Sequence, residues 1–309
     1  MAVKQEFTFL SGDGKTDVHA VRWLPDNGDY RAVFQISHGM IEFIERYEPF
    51  AAFLDKGYMV VGHDHLGHGK TAKTPEDWGY FADGESPEIL IGDMNKLRTL
   101  SQEPDKPYFM LGHSMGSYLL RRYLSVYGGG LSGAVIMGTG ANPDAVAKLG
   151  MAVCKAIAAF KGWKYRSPFM EKLFFSGDFQ KFDMSGTHPE NSWLTKDTEI
   201  VRFYYSEPRC TFKFTLKAYY DFLKTVYYVN RKENVEKIPK DLPILMVAGD
   251  CDPVGEFGKA VKRVYEMYKA AGINDVTLKL YENDRHEILN ETDKERVFDD
   301  IFNWCESRQ

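Results

Sequence analysis

The feature that most constrains the fold is the pentapeptide Gly112-His-Ser-Met-Gly116 together with its surroundings. It follows the apolar run Tyr108-Phe-Met-Leu111, which favours a buried strand, and precedes residues 118–124, Tyr-Leu-Leu-Arg-Arg-Tyr-Leu, which are typical of a helix. A sharp strand-to-helix turn holds a serine in a strained conformation with its Oγ exposed, provided that small residues flank it. The pattern therefore predicts that Ser114 is a nucleophile at such an elbow rather than part of an ordinary turn.

A serine hydroxyl is a weak nucleophile, so a base must take its proton and a carboxylate must orient that base. In folds that use this elbow, an acid and then a histidine follow the serine, each on a loop after a later strand. Only His188 and His286 come after Ser114. His286 follows the alternating strand pattern of residues 275–281 and precedes a helix near Lys294, whereas His188 lies in a segment without strand periodicity. We therefore predict that His286 is the base.

Two aspartates compete for the position of the acid. Residues 242–248, Leu-Pro-Ile-Leu-Met-Val-Ala, predict a buried parallel strand that delivers Gly-Asp-Cys-Asp-Pro-Val, residues 249–254, at its carboxyl end. Asp250 ends the strand and is suited to capping the turn, whereas Asp252 lies further out, before a proline that fixes the course of the loop. We favour Asp252, a preference that also rests on the resemblance described below, and Asp250 is the alternative.

The other histidines near these motifs have structural explanations. His113 adjoins the nucleophile, but neighbouring residues that leave a strand point to opposite sides, so we expect it to pack or hydrogen-bond beneath the elbow. His63, His65 and His68 crowd the loop after a buried strand, without a Cys/His set of structural-zinc spacing. We expect these side chains to satisfy the backbone of the turn, and we predict no metal site there.

Strand and helix patterns alternate along most of the chain. Strand patterns lie near residues 5–9, 18–23, 32–37, 58–64 and 133–137, and helical patterns lie at 46–55 and 87–100. This predicts an α/β fold, a mostly parallel sheet with helices on both faces, opened by a hairpin-like pair. Because buried-strand patterns are absent from residues 141–236, we predict three segments: core residues 1–140, a helical cap at 141–236 and core residues 237–309.

The predicted cap is dense in aromatic side chains. Because open α/β sheets bind ligands at the carboxyl ends of their strands, we place the cap above that edge. We expect most of its aromatics to form the core of the cap and a subset to line an apolar pocket for an acyl chain. The aromatics concerned are Phe160, Trp163, Tyr165, Phe169, Phe174, Phe175, Phe179, Phe182 and Trp193.

Composition argues against several functional classes. The net charge is -5 at pH 7 and the lysines are dispersed among acids, which argues against a nucleic-acid partner. The first residues lack the apolar region of a signal peptide, and no uninterrupted apolar run is long enough to cross a membrane. We therefore expect a soluble, cytoplasmic protein without an integral membrane segment. The 4 cysteines form no C-x-x-C pair, so we expect free thiols rather than disulfides.

Together, these motifs resemble the α/β-hydrolases of the bacterial lysophospholipase and monoacylglycerol lipase type, which are also grouped with the serine aminopeptidases. The resemblance spans nearly the whole chain. It is carried by His38-Gly-Met40 with Arg46-Tyr47, by Asp-His-Leu-Gly-His-Gly at 64–69, by residues 112–116 and 249–254, by Arg-His-Glu-Ile-Leu-Asn-Glu at 285–291, and in the predicted cap by residues 193–197 and 208–214.

The resemblance implies the α/β-hydrolase fold, with a mostly parallel eight-stranded sheet and a helical cap. It implies Ser114 as nucleophile, Asp252 as acid and His286 as base, with the backbone N–H groups of Met40 and Met115 as the oxyanion hole. One departure concerns the loop that borders the leaving group in relatives. Family members often carry Gly-Glu-His where this chain has Ile-Glu-Phe at residues 41–43, so the resemblance does not extend to the alcohol portion of the substrate.

The residues and the resemblance predict a serine carboxylic-ester hydrolase. We expect it to cleave single-chain lipid esters, a monoacylglycerol or lysophospholipid, or a smaller acyl ester, through an acyl-enzyme that needs no metal or organic cofactor. We also expect transient contact of the cap with lipid surfaces.

Three alternatives to this function stay open. A short-chain esterase of the same fold is one. A proline-iminopeptidase-like aminopeptidase would use cap carboxylates, with Glu190, Glu199 and Glu207 available, to hold a substrate ammonium. A non-catalytic ligand-binding receptor is the alternative outside the enzymes, because a fold alone does not fix function.

Overall fold

The computed structural model describes residues 2–309 and contains one sheet of eight strands. The strands are β1 (Val3–Leu10), β2 (Asp17–Leu24), β3 (Ala32–Ser37), β4 (Tyr58–His63), β5 (Tyr108–His113), β6 (Gly133–Met137), β7 (Ile244–Gly249) and β8 (Val276–Tyr281). Their order in the sheet is β1-β2-β4-β3-β5-β6-β7-β8. The pairs β1–β2 and β2–β4 are antiparallel and the remaining neighbours are parallel. The predicted α/β architecture, with a mostly parallel eight-stranded sheet, is confirmed.

Helices connect the strands and cover both faces of the sheet. The α-helices of residues 2–309 are α1 (Glu48–Phe53), α2 (Ser86–Ser101), α3 (Met115–Tyr127), α4 (Asp144–Lys161), α5 (Pro168–Phe174), α6 (Thr198–Ser206), α7 (Leu216–Val229), α8 (Lys232–Val235), α9 (Lys259–Ala270) and α10 (Lys294–Glu306). Short 3₁₀ helices lie at Ile44–Tyr47, Gly177–Lys181, Pro189–Asn191, Pro208–Cys210 and Ile288–Asn290.

The sheet divides the hydrophobic core into two clusters. One cluster, which includes Leu90 of α2, Leu120 of α3 and Val264 of α9, packs on one face, and α1 and α10 cover the other. Every residue of β3 to β7 is buried because both faces of these central strands are covered. Their carboxyl ends therefore meet at one edge of a rigid sheet, where the loops carry the candidate site.

The segment between β6 and β7 is helical and returns to the strand next to the one it leaves. Met137 of β6 pairs with Val247 of β7, so the sheet is continuous across this excursion. Helices α4 to α8 occupy it. Arg121 of α3, which is buried, holds both ends of the excursion, because its Nη1 donates to the carbonyl of Gly140 (2.8 Å) and its Nη2 to that of Val229 (3.3 Å).

Some of the aromatics of this segment lie outside its core, because Phe160, Trp163, Tyr165 and Phe169 are exposed. For Phe160 the reason lies in the packing of α4. Its buried stripe consists of small residues, Ala147, Gly150, Cys154 and Ala158. A Cβ on Gly150 would lie 2.7 Å from a methyl carbon of Leu223 in α7, so α4 lies close against α7 through its small residues. Larger apolar side chains on the remaining surface of α4 stay outside that contact.

Two predictions drawn from composition can be compared with the structure. Within residues 2–309, no helix combines the length and the apolar character needed to cross a membrane. All four cysteines are free, which confirms the prediction of thiols rather than disulfides. Cys154, Cys210 and Cys305 are buried and Cys251 is half-buried.

Candidate active site

Ser114 lies at the sharp turn between β5 and α3. Its φ of 53° and ψ of -122° place it in a region that side chains other than glycine rarely adopt. The turn requires glycine on both sides. A Cβ on Gly112 would lie 2.3 Å from the carbonyl oxygen of Gly116, and a Cβ on Gly116 would lie 2.1 Å from that of Ser37. The predicted strand–turn–helix context is therefore present, and it leaves Ser114 half-buried at the carboxyl edge of the sheet.

His286 and Asp252 meet on neighbouring loops, after β8 and β7. Both side chains are buried, and Nδ1 of His286 is 3.0 Å from Oδ2 of Asp252. Because the carboxylate accepts at Nδ1, the ring carries its proton there and Nε2 is left as an acceptor. Nε2 has no hydrogen-bond partner within residues 2–309, and the ring lines the same cavity as Ser114. An imidazole in this state can take a proton from a serine hydroxyl.

The two competing aspartates have different contacts. Asp252 contacts the imidazole, and its other oxygen accepts the N–H of Val254 at 2.8 Å. Asp250 accepts the N–H of Asn283 at 2.8 Å, the turn-capping contact expected of a residue that ends a strand. His188, the competing histidine, is exposed beside Glu190.

Two backbone N–H groups remain available beside Ser114. Met115 is the first residue of α3, so its N–H has no acceptor inside the helix. Met40 lies in the loop after β3. This loop is close to the nucleophile, as the neighbouring Gly39 shows: a Cβ on Gly39 would lie 3.0 Å from Cβ of Ser114. Within residues 2–309 the N–H of Met40 has no acceptor, whereas those of Gly39 and Ile41 donate to Glu42 and His68. Met40 and Met115 can therefore donate to an oxyanion formed at Ser114.

A buried ion-pair network lies beneath the site. Arg46 donates to Glu42 at 2.8 Å and to both oxygens of Glu287 at 2.8 and 2.7 Å. Glu287 follows His286 directly, so Arg46 links the loop after β3 to the loop that carries the imidazole. Burial opposes ionisation of Glu42, but its hydrogen bond with His113 and the charge of Arg46 hold the pKa of Glu42 below its usual range. Sequence reasoning assigned no role to these residues. Arg46 and Glu287 lie within the motifs that carry the resemblance, and Glu42 lies in the loop that departs from it, which was the only sequence signal of these three.

Of the histidines that we expected to be structural, His113, His65 and His68 make hydrogen bonds within the fold, whereas the prediction for His63 is wrong, because neither of its ring nitrogens has a hydrogen-bond partner within residues 2–309. Nδ1 of His113 lies 3.0 Å from the hydroxyl of Tyr47, beneath the elbow as predicted. Nδ1 of His68 lies 3.0 Å from the carbonyl of Leu66, and Nε2 of His65 lies 3.1 Å from the hydroxyl of Ser37. Among residues 2–309, no group of three or more His, Cys, Asp or Glu side chains is arranged to hold a metal ion.

A cavity of about 370 Å³ opens onto Ser114 and His286. Its wall is mostly apolar and comes from the loops of the sheet and from α4, α5 and α7. Four of the aromatics predicted to line a pocket do so, namely Phe174, Phe175, Phe179 and Trp193. The polar lining includes Asn142, Ser176, Asp178 and Glu256, and within residues 2–309 it includes no lysine or arginine.

The fold and this arrangement define an α/β-hydrolase. The chain belongs to the Hydrolase_4 family, described as serine aminopeptidase, S33, whose family model matches residues 28–293.

Relatives narrow the class further. The chain is 27% identical to the monoacylglycerol lipase of Mycolicibacterium smegmatis, over 99% of this chain and 98% of the lipase. It is 31% identical to a highly thermostable carboxyl esterase from Bacillus coagulans, solved in complex with glycerol, with a TM-score of 0.89 over 99% of both chains. A lipase solved in an open form is 26% identical, with a TM-score of 0.86 over 99% of both chains. The family and these relatives identify the chain as a carboxylic ester hydrolase, as the sequence predicts.

Proposed function

We propose that the protein hydrolyses single-chain lipid esters, with monoacylglycerols as the preferred class, through an acyl-enzyme on Ser114. The observation that carries this proposal is a single cavity whose wall includes Ser114, His286 and a long apolar surface. A cavity of this size and character can hold an acyl chain while it presents the ester carbonyl to the nucleophile.

The proposed mechanism starts from the contact of His286 with Asp252 and from the Nε2 left free within residues 2–309, in the cavity that Ser114 also lines. Nε2 of His286 takes the proton of the Ser114 hydroxyl as Oγ attacks the ester carbonyl, and Asp252 holds the ring and stabilises the imidazolium. The N–H groups of Met40 and Met115 donate to the oxyanion of the tetrahedral intermediate. The imidazolium then protonates the oxygen of the leaving alcohol. Water attacks the acyl-enzyme with the same base and releases the fatty acid and free Ser114.

The charges around the cavity favour a neutral leaving group. Asp178 and Glu256 line the cavity, and each is paired with a cation outside its lining, Asp178 with Lys181 (2.8 Å) and Glu256 with Arg263 (2.6 Å). An anionic phosphate next to these carboxylates would lack a basic partner in the described lining. This favours glycerol over a phosphate-bearing headgroup, so lysophospholipid is the weaker substrate. The monoacylglycerol lipase among the relatives supports the same order.

The aminopeptidase alternative finds less support. Glu190 and Glu199 are exposed, Glu207 is paired with Arg209 at 2.9 Å, and none of the three lines the cavity that residues 2–309 form. Recognition of an ammonium by a carboxylate of residues 141–236 would therefore fall to Asp178, whose charge Lys181 already compensates.

We further infer that residues 141–236 act as a cap that takes substrate from lipid surfaces. Val146, Leu149 and Leu173 are exposed at the surface and also line the cavity, so the apolar outer face continues into its mouth. Phe160 of α4 and Phe169 of α5, the helices that carry these residues, are also exposed. Lysines at 148, 155, 161, 164 and 172 accompany these apolar residues in the sequence, a combination suited to contact with a bilayer that contains anionic lipids.

A panel of four substrate classes tests the proposed function: monoacylglycerols, lysophosphatidylcholine, short aryl esters and aminoacyl amides. We expect the highest kcat/KM for monoacylglycerols below their aggregation limit, and loss of all hydrolysis in Ser114→Ala. A kcat/KM higher for acetyl esters than for monoacylglycerols would identify a short-chain esterase. A kcat/KM higher for aminoacyl amides than for monoacylglycerols would identify an aminopeptidase. A wild-type protein that binds these compounds but hydrolyses none would be a receptor.

A further inference from the structure

Ile41 has a backbone conformation that its side chain opposes. Its φ is 57°, in the left-handed region where a β-branched residue is a steric outlier. Such a conformation persists only where the surrounding contacts hold it. Ile41 directly follows Met40, whose N–H is the proposed oxyanion donor, so the turn at Ile41 helps to set the direction of that N–H.

Buried side chains hold the N–H groups of this loop. Nε2 of His68 accepts the N–H of Ile41 at 3.3 Å, and Oδ1 of Asp64 accepts that of Ile44 at 2.8 Å. Glu42 accepts the N–H of Gly39. The N–H groups on either side of Met40 are therefore engaged, and the one between them is left for a ligand.

The surroundings of His68 fix it as a neutral acceptor. Its Nδ1 donates to the carbonyl of Leu66, so Nε2 carries the lone pair that faces Ile41. The ring is fully buried among three phenylalanines, with centroid distances of 5.9 Å to Phe81, 5.3 Å to Phe212 and 5.5 Å to Phe214. Burial, assisted by the nearby His38, lowers the pKa of His68 to about 3. The imidazole therefore stays an acceptor throughout the neutral pH range.

We propose that His68 is a positioning residue for the oxyanion hole, which acts by accepting the N–H of Ile41 and fixing the left-handed turn that presents the N–H of Met40. The inference rests on the proposed function, because it requires Met40 to stabilise the oxyanion. His68 does not line the cavity, so it influences catalysis through Ile41 rather than by touching substrate.

Two substitutions of His68 separate its two hydrogen bonds. The amide of His68→Asn can still donate to Leu66 near the position of Nδ1, but it leaves Ile41 without an acceptor. His68→Gln places an amide oxygen near the position of Nε2. We expect kcat of His68→Asn to fall about tenfold to a hundredfold with little change in KM, because one oxyanion donor contributes about a hundredfold to a thousandfold. We expect His68→Gln to keep kcat within about threefold of wild type.

A transition-state analogue distinguishes positioning from general loss of structure. A trifluoromethyl ketone with an acyl chain forms a hemiketal oxyanion on Ser114, so its affinity should fall in His68→Asn by the same factor as kcat/KM. His63→Leu is the matched control, because His63 is a buried imidazole before the same loop whose nitrogens have no hydrogen-bond partner within residues 2–309. We expect it to leave kcat and inhibitor affinity unchanged.

Relief of the backbone strain provides an independent test. Glycine adopts a positive φ without steric cost. The double variant Ile41→Gly/His68→Asn should therefore recover part of the kcat that His68→Asn alone loses. The positioning role is overturned if His68→Asn and His63→Leu lose activity equally, if inhibitor affinity is unchanged while kcat falls, or if Ile41→Gly restores nothing. Should His68→Asn not fold, a large loss of kcat in folded His68→Gln overturns it. Retained hydrolysis in Ser114→Ala would instead refute the proposed function. If Ser114→Ala is inactive and His68→Asn has the kcat of the wild-type protein, only this inference is refuted.

Discussion

The loops at the carboxyl ends of the strands and the helical segment above them hold their side chains in opposite ways. In the loops, Asp252, His286 and Arg46 are buried, and each makes hydrogen bonds that fix its orientation. In the helical segment, Leu149 and Phe160 project apolar surface into solvent. In the loops, hydrogen bonds fix each of these side chains, whereas the helical segment leaves some of its large apolar side chains exposed.

This difference matches what each region is proposed to do. Chemistry at Ser114 requires reacting atoms at fixed separations, and small misplacements cost large factors in rate. Capture of an acyl chain requires apolar area and tolerates variation in detail. Substitutions in the loops should therefore change turnover, and substitutions in residues 141–236 should change which substrates are accepted.

The largest effect should come from the nucleophile. Ser114→Ala should lower ester hydrolysis on the order of a millionfold and abolish labelling by a fluorophosphonate, because acylation requires its Oγ. Ser125→Ala, in the helix that follows Ser114 but outside the cavity, should be labelled and turn over substrate as wild type does. Labelling of Ser114→Ala at the wild-type rate would show that the nucleophile lies elsewhere.

The next largest effect should separate the two aspartates. Asp252→Asn should lower kcat roughly ten-thousandfold with the fold intact, because the imidazole loses the partner that fixes its tautomer. Asp250→Asn should cost far less, since Asp250 caps the N–H of Asn283 and does not contact the imidazole. The comparison needs kcat for both variants and circular dichroism spectra as a check of folding. A reversed ranking would make Asp250 the acid.

The helical segment should control chain-length preference. If its aromatics line the acyl channel, each added methylene should contribute up to about 0.8 kcal/mol until the channel ends. Measured as kcat/KM over a series of monomeric esters, this dependence should flatten in Phe174→Ala/Phe179→Ala, while activity on acetyl esters persists. Phe160→Ala, which changes an exposed aromatic outside the cavity lining, is the control and should keep the wild-type dependence. A wild-type optimum at acetyl would reject the lipid-ester assignment.

The smallest effect should concern contact with lipid surfaces. Phe160→Ser/Phe169→Ser should reduce binding to phosphatidylglycerol vesicles by roughly tenfold, because the substitutions remove two exposed aromatics from the proposed contact face. The kcat/KM of this double variant on dissolved monomeric esters should equal that of the wild-type protein. Val126→Ser, at an exposed apolar position of α3, is the control and should bind vesicles as wild type does. Equal loss in both variants would mean that the contact is not specific to residues 141–236.

Sequence patterns predicted the features that depend on neighbouring residues. The elbow at Ser114, the buried strands before it and the fold class all follow from local runs of apolar residues and from glycines at fixed positions. Arg46 and Glu287 are 241 residues apart, so their pairing is not visible in any local pattern. The positive φ of Ile41 was equally hidden, because three-dimensional contacts with His68 hold it against its own preference.

The exposed aromatics near α4 show a second limit of pattern reading. The buried face of a helix can be predicted from an amphipathic pattern only when the large apolar residues lie on that face. In α4 small residues are buried because the helix approaches α7 closely, and the sequence alone does not reveal this approach. Phe160 is therefore exposed although it is among the largest apolar residues of its helix.

The helical excursion returns to the strand next to the one it leaves, so the sheet itself sets no length for it. Since β6 pairs directly with β7, a different excursion of any length could join the same two strands without shifting the register of the sheet. The structure imposes conditions at the ends of the inserted chain and within it. Arg121 needs carbonyl acceptors at both ends, and the N–H groups of His286 and Glu287 donate to the carbonyls of Trp193 and Leu194. Chimaeras that keep residues 138–140, 192–197 and 229–230 and exchange the other residues of the excursion should inherit the chemistry of one parent and the substrate range of the other.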